Sequence, residues 1–245
     1  MNKIINWKTF FILFAGCLIT SIMVIPYTLA LSPALAQIYT ARIFLLQVVQ
    51  NAVIFALACF FGLLLADKTG FKLPVLESTD KWASLKPILK PSIIWGAISG
   101  VLIVLLSLPF MHLSLELLGA ELPVAVWKAF FASFYGGIAE EAIFRLFMVS
   151  LFVWLALKIK IPKNISVWLA IILSAVIFGL GHLGITSELT VITAAVVIRA
   201  IVLNSAGAII FGWLYWKHGF ESAVIAHFST DILIHIIVPA VARLF

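Results

Sequence analysis

The chain has 245 residues, 64% hydrophobic and only 11% charged, with a formal net charge of +6 and a mean hydropathy of +1.22. A soluble domain carries about 25% charged residues, so the composition excludes one and makes the lipid bilayer the chain's constant partner. The positive charge does not indicate nucleic acid, because the lysines lie between apolar runs, where they set orientation.

In chain order, seven apolar segments stand out, at about 9–31, 41–66, 91–110, 125–157, 166–184, 190–216 and 221–242. Runs of about 20 residues suit helices that cross a membrane, and each such helix satisfies its own backbone polar groups. A closed barrel would need shorter, alternating segments. The predicted fold is therefore an all-α integral membrane protein, a polytopic bundle of seven to eight transmembrane helices in a single domain over 1–245. An eighth span arises if the Asn204-Ser205-Ala206-Gly207 cluster breaks the sixth run.

The first run follows Lys3 and Lys8 and ends near Ala34-Leu35-Ala36, which resembles a cleavable signal. It exceeds the roughly 7–15 apolar residues of a signal core, so it is read as a retained span. Cys17 and Cys59 fall inside spans and are read as small apolar residues rather than as a disulfide or metal site. The stretch from Asp67 to Lys90 holds five lysines and three acids with Gly70, Pro74 and Pro91, and reads as a loop or surface-lying segment.

Lys3, Lys8, the lysines of 67–90, Lys158, Lys160, Lys163 and Lys217 all fall on one side of a seven-span layout. The loops 32–40, 111–124 and 183–189 contain no lysine or arginine. By the positive-inside rule the N-terminus is cytoplasmic, in the inner membrane if the source is a bacterium.

Polar residues inside the spans carry the candidate chemistry, since intramembrane charges cost roughly 2.5–3.5 kcal/mol each on insertion scales. Glu141 and Arg145 stand at i and i+4 in the favourable order and face each other. Glu140, about 100° around an ordinary helix, is left for the bundle interior, where a desolvated carboxylate suits a general base. An ion-pair network that locks helices together is the plainer alternative. Phe178-Gly179-Leu180-Gly181-His182 ends a later span in a histidine, which chemistry or simple helix–helix hydrogen bonding would explain. His227 and Asp231 share a helix face at i and i+4, and His235 extends that face one turn further. They suit water orientation, metal binding or carbonyl polarisation, or else form a buried polar seam. Arg199, Asn204 and Ser205 suit a structural or substrate-contacting role. At 1.5 Å per residue, Glu140 lies about 27 Å from Lys158 and His182 about 28 Å from Lys163. The two residues therefore sit at similar depth, and the groups can converge on one cavity.

The order Glu-Glu-x-x-x-Arg, Phe-x-x-x-His and His-x-x-x-Asp resembles the CAAX protease and bacteriocin-processing (CPBP, or Abi) family of intramembrane proteases. The matching residues are Glu140, Glu141 and Arg145, then Phe178 and His182, then His227 and Asp231. The stretch Phe211 to Gly219 also looks like the run that precedes this family's last motif. The resemblance covers about residues 125–235, the family-like core; residues 1–120 contribute variable N-terminal spans.

The resemblance implies an endopeptidase acting on a membrane-associated peptide or protein, in CAAX-type processing, bacteriocin maturation or self-immunity. Glu140 and His182 would activate water. His227 and Asp231 would stabilise the oxyanion or complete a metal site. Glu141, Arg145 and Phe178 would support the geometry. The family's last motif often ends in Asn, and Asp231 can donate a hydrogen bond only when protonated. Zinc or another divalent metal held by Glu140, His182, His227 and Asp231 and metal-free water activation both remain open. A non-catalytic immunity or scaffold protein and an ion-coupled transporter are the readings from other classes. No His-Glu-x-x-His is present for a zinc enzyme of the site-two kind.

Overall fold

The computed structural model describes residues 5–110 and 124–242. The expectations placed on Lys3 and on most of the 111–124 loop lie outside the described residues. Nine helices and no strand occur among the described residues. They are α1 (Trp7–Leu31), α2 (Pro33–Ile38), α3 (Ala41–Thr69), α4 (Pro74–Glu77), α5 (Lys81–Phe110), α6 (126–158), α7 (Lys163–Ser187), α8 (Ala194–His218) and α9 (Phe220–Ala242). The protein is a polytopic helical membrane protein.

The helix starts follow local chemistry. Asn6, Ser32, Thr40, Asp80 and Thr193 each accept a backbone N–H three residues on, the usual N-cap contact. Gly70 closes α3 at φ 79°, a left-handed value that glycine adopts without strain. Gly219 at φ 93° turns α8 into α9, and a side chain there would strike the Pro74 ring.

Seven of the helices are long, one for each apolar segment expected. Six of them are long and apolar enough to cross a membrane: α1, α3, α5, α7, α8 and α9. The seventh, α6, carries Glu140, Glu141 and Arg145 at its middle. Packing resolves its charge problem, because α6 is enclosed by α1, α3, α7 and α9. Apolar side chains face outward on its neighbours, such as Leu45, Leu46, Val49 and Val53 on α3, or Trp168, Leu169, Ile172 and Leu173 on α7, and towards the two ends of α6 itself, as at Trp127 and Leu155.

Two expectations need correction. The possible eighth span does not form, because α8 runs unbroken through Asn204-Ser205-Ala206-Gly207. The Asn204 side chain donates to the Ala200 carbonyl at 2.8 Å, and the Ser205 hydroxyl to the Ala175 carbonyl of α7 at 3.0 Å. The polar groups that suggested a break are thus satisfied within helices. The stretch from Asp67 to Lys90 is also not wholly a loop, since its last ten residues are the first turns of α5, capped by Asp80. Pro87 and Pro91 lie inside that helix, which runs out beyond its apolar part. Cys17 and Cys59 are free thiols with no exposed surface, packed in the apolar core.

Candidate functional site

The middle of α6 is not an ordinary α-helix. Residues Tyr135–Glu140 and Ala142–Val149 are π-helical, with hydrogen bonds to the fifth residue rather than the fourth. Such segments are rare and often occur at functional sites. Gly136 and Gly137 open the first one, and both meet α9. A side chain at Gly136 would collide with the Asp231 carboxylate and come within 3.1 Å of His227 Nε2. The absence of a Cβ here lets the two helices close on each other.

The expected pairing of Glu141 with Arg145 is present, with Oε1 at 3.0 Å from the guanidinium. The same Oε1 also accepts from Nδ1 of His227 at 2.8 Å. Glu141 therefore bridges a guanidinium and an imidazole rather than serving Arg145 alone. Glu140 does not turn away from this pair as a regular helix would place it. Its Oε2 stands 3.8 Å from Nε2 of the same histidine, with the Glu140 side chain 19% exposed. Asp231 Oδ1 lies 3.7 Å from that nitrogen. The His227 ring, 5% exposed, is thus held at Nδ1 by one glutamate and flanked at Nε2 by two carboxyls.

Aromatic rings enclose the group. Phe211 stacks on His227 with centroids 4.6 Å apart and an interplanar angle of 19°. The Arg145 guanidinium lies 5.0 Å from the Phe178 ring and 5.3 Å from the Phe211 ring. A cation held over aromatic faces in a desolvated place gains up to about 2 kcal/mol. Among the described residues, two Arg145 nitrogens and Oε2 of Glu141 are buried without a hydrogen-bond partner, so the rings do part of the work that hydrogen bonds would otherwise do.

His182 ends the first part of α7. Its Nδ1 donates to the Phe178 carbonyl at 2.8 Å, because a carbonyl can only accept. In the neutral ring Nε2 is then the acceptor. Phe178 lies 4.6 Å from the His182 ring and 5.8 Å from His227, and so stands between the two imidazoles. The carboxylate within ion-pair distance of His227 Nε2 on α6 is Glu140, whereas no ion pair joins Glu140 to His182 among the described residues. The structure therefore brings Glu140, Glu141, Arg145, His227 and Asp231 into one cluster and ties His182 to it through Phe178.

A zinc site would need donors about 2.0–2.2 Å from a common point. Among the described residues no group of three or more His, Cys, Asp or Glu is placed to hold a metal ion. Nδ1 of both histidines is engaged, which leaves Nε2 of each as the nitrogen that could meet a ligand. Glu140, His182, His227 and Asp231 are not gathered around one point among the described residues.

Reasoning from the sequence missed two contributors. Gly136 belongs to a glycine pair inside a helix, an unfavourable choice by about 1 kcal/mol per residue relative to alanine. That cost was the available signal. Phe211 opens the stretch already marked by the family resemblance, but nothing local identified it as the ring under His227.

A family model described as type II CAAX prenyl endopeptidase Rce1-like matches residues 122–233. This stretch, somewhat under half of the chain, is thus similar to that family. The similarity supports an intramembrane CAAX-type endopeptidase at family level. The stretch holds all of α6, α7 and α8 and the first part of α9, so every residue of the cluster falls within it. No curated protein and no solved structure matches the chain.

Proposed function

We propose that the protein hydrolyses a peptide bond in a membrane-associated peptide or protein, with Glu140 and His182 activating the attacking water. The observation that carries this reading is the grip on His227, with Nδ1 tied to Glu141 and Nε2 turned toward Glu140 and Asp231. Glu140 is the one carboxylate of the α6 pair with exposed surface, as a base that meets water must be.

Water donates one proton to Glu140 and a hydrogen bond to Nε2 of His182 while its oxygen attacks the scissile carbonyl carbon. His227, held as the imidazolium by Glu141, donates from Nε2 to the oxyanion that forms. Asp231 either shares that proton or, when protonated, donates to the same oxygen. Collapse of the tetrahedral intermediate breaks the C–N bond, and the proton held by Glu140 passes to the leaving amine. Glu141 thus fixes tautomer, orientation and charge of an imidazole without touching the substrate, the part that an acidic partner plays for a catalytic histidine elsewhere. The cytoplasmic placement of the N-terminus belongs to the same proposal and rests on the lysine pattern.

The test uses the purified protein in proteoliposomes with an internally quenched farnesylated peptide ending in Cys-aliphatic-aliphatic-X. Parallel proteomics of membrane peptides that accumulate uncut with Glu140→Ala widens the substrate range. Glu140→Ala and His182→Ala are each expected to abolish cleavage while the protein still folds. Full activity in both variants would overturn the protease reading.

A further inference from the structure

Helix α9 presents three polar side chains at i, i+4 and i+8: His227, Asp231 and His235. The proposed hydrolysis uses the first two. His235 differs from His227 in exposure, since His227 is buried and His235 is exposed. It follows Asp231 by four residues, about one turn further along α9.

One residue of α1 reaches it. The Tyr27 hydroxyl stands 3.1 Å from His235 Nδ1, and the two rings meet edge to face with centroids 5.7 Å apart. Both partners sit on irregular backbone. The first part of α1 ends at Met23, and Tyr27 follows Val24 and Pro26 in its second part. His235 lies in a π-helical segment, Leu233–Ile237, which turns its side chain relative to a regular continuation of α9.

The chemistry of the pair is directional. A tyrosine hydroxyl that donates to Nδ1 leaves the proton of a neutral imidazole on Nε2. His235 then presents an N–H donor beyond Asp231, with Tyr27 fixing the tautomer. Four residues at 1.5 Å rise place this donor about 6 Å along α9 from Asp231. An extended peptide advances about 3.3 Å per residue, so the same 6 Å spans two substrate residues.

We propose that His235, oriented by Tyr27, binds the main-chain carbonyl that lies two residues from the scissile bond of an extended peptide substrate. His235 is a substrate-binding residue and Tyr27 a positioning residue that acts through it. The assignment rests on the hydrolytic reading of the neighbouring site. It gives α9 two tasks about one turn apart, oxyanion stabilisation at His227 and Asp231 and main-chain recognition at His235. A main-chain contact recognises an extended backbone whatever its side chains.

The test measures kcat and KM separately on the quenched farnesylated peptide, for the full chain in proteoliposomes. His235→Ala and Tyr27→Phe are each expected to raise KM about five- to tenfold, the usual range for one hydrogen bond, and to leave kcat within about twofold. His235→Gln, which keeps a donor near the position of Nε2, is expected to recover most of the loss. Two further peptides carry an ester in place of the amide at the linkage two residues to either side of the cleaved bond. One of them should weaken wild type by a similar factor and cause no further loss in His235→Ala. An unchanged KM in His235→Ala, with Tyr27→Phe also unchanged, overturns the binding role. So does a large fall in kcat at constant KM. Glu140→Gln run in parallel separates the two readings. If wild type leaves the peptide intact or Glu140→Gln still cuts it, the hydrolytic reading falls and takes the pair with it. If wild type cuts, Glu140→Gln is dead and His235→Ala keeps its KM, the binding role alone falls.

Discussion

Two buried glutamates, one at the middle of α6 and one at the start of α9, solve the same problem with different partners. Glu141 has no exposed surface and Glu221 is 8% exposed. Each works through Oε1, and among the described residues its Oε2 is buried without a hydrogen-bond partner. Glu221 accepts from the backbone N–H groups of Val75 and Leu76 at 3.0 and 2.6 Å, while the Phe220 N–H donates to the Lys72 carbonyl at 3.0 Å. Those partners are amides, which carry no net charge and exchange no proton during a reaction. Glu141 is held by a guanidinium and an imidazole. The second partner passes its influence on, because the far nitrogen of His227 faces Glu140 and Asp231. One carboxylate pins the short helix α4 to α9, and the other holds a ring whose far nitrogen faces two more carboxyls.

The contrast can be broken or sharpened by substitution, beginning with the largest effect. Glu141→Ala removes one side of a buried ion pair and is expected to cost about 3–5 kcal/mol of stability, read by denaturation in detergent, with cleavage lost as well. Gly136→Ala overpacks the α6–α9 contact and is expected to cost about 1–3 kcal/mol. Its activity should fall more than its stability does, because the displaced groups are Asp231 and His227. Glu221→Gln weakens two charge-assisted hydrogen bonds and is expected to cost about 1–3 kcal/mol, with kcat per folded molecule unchanged. A kcat loss there comparable to that of Glu141→Ala would erase the distinction. Ser150→Ala removes the hydroxyl pair with Tyr215, 2.9 Å apart between α6 and α8, and is expected to cost about 1 kcal/mol with no change in kcat.

Much of the fold was legible because apolar length carries it. All seven long helices coincide with apolar runs, and α1, α3, α5 and α8 are capped by Asn6, Thr40, Asp80 and Thr193, residue types that physical chemistry prefers there. The error at residues 81–90 has an equally physical cause. Lysine and proline read as the end of a span, whereas a helix that leaves the apolar layer needs only a cap and water. The chemical residues were legible as costly charges, and the Glu141–Arg145 contact followed from helical spacing. The second contact of Glu141 was not legible, because it depends on where α9 crosses α6. Nor was the orientation of Glu140. It rests on a shift of hydrogen-bond register, to which composition gives no clue.

That register shift carries a consequence for how such a site is altered. Each π turn closes around one more residue than an α turn, so α6 contains extra chain length at the very place where its carboxylates project. Deleting one residue between 142 and 149 would let the helix relax to regular winding with almost no change in length or apolarity. The side chains within the segment would be re-aimed while the flanking turns kept their places. The α6 carboxylates and Arg145 would then meet α9 at changed angles. A membrane helix of this kind can be disarmed by the loss of a single apolar residue that touches neither water nor substrate.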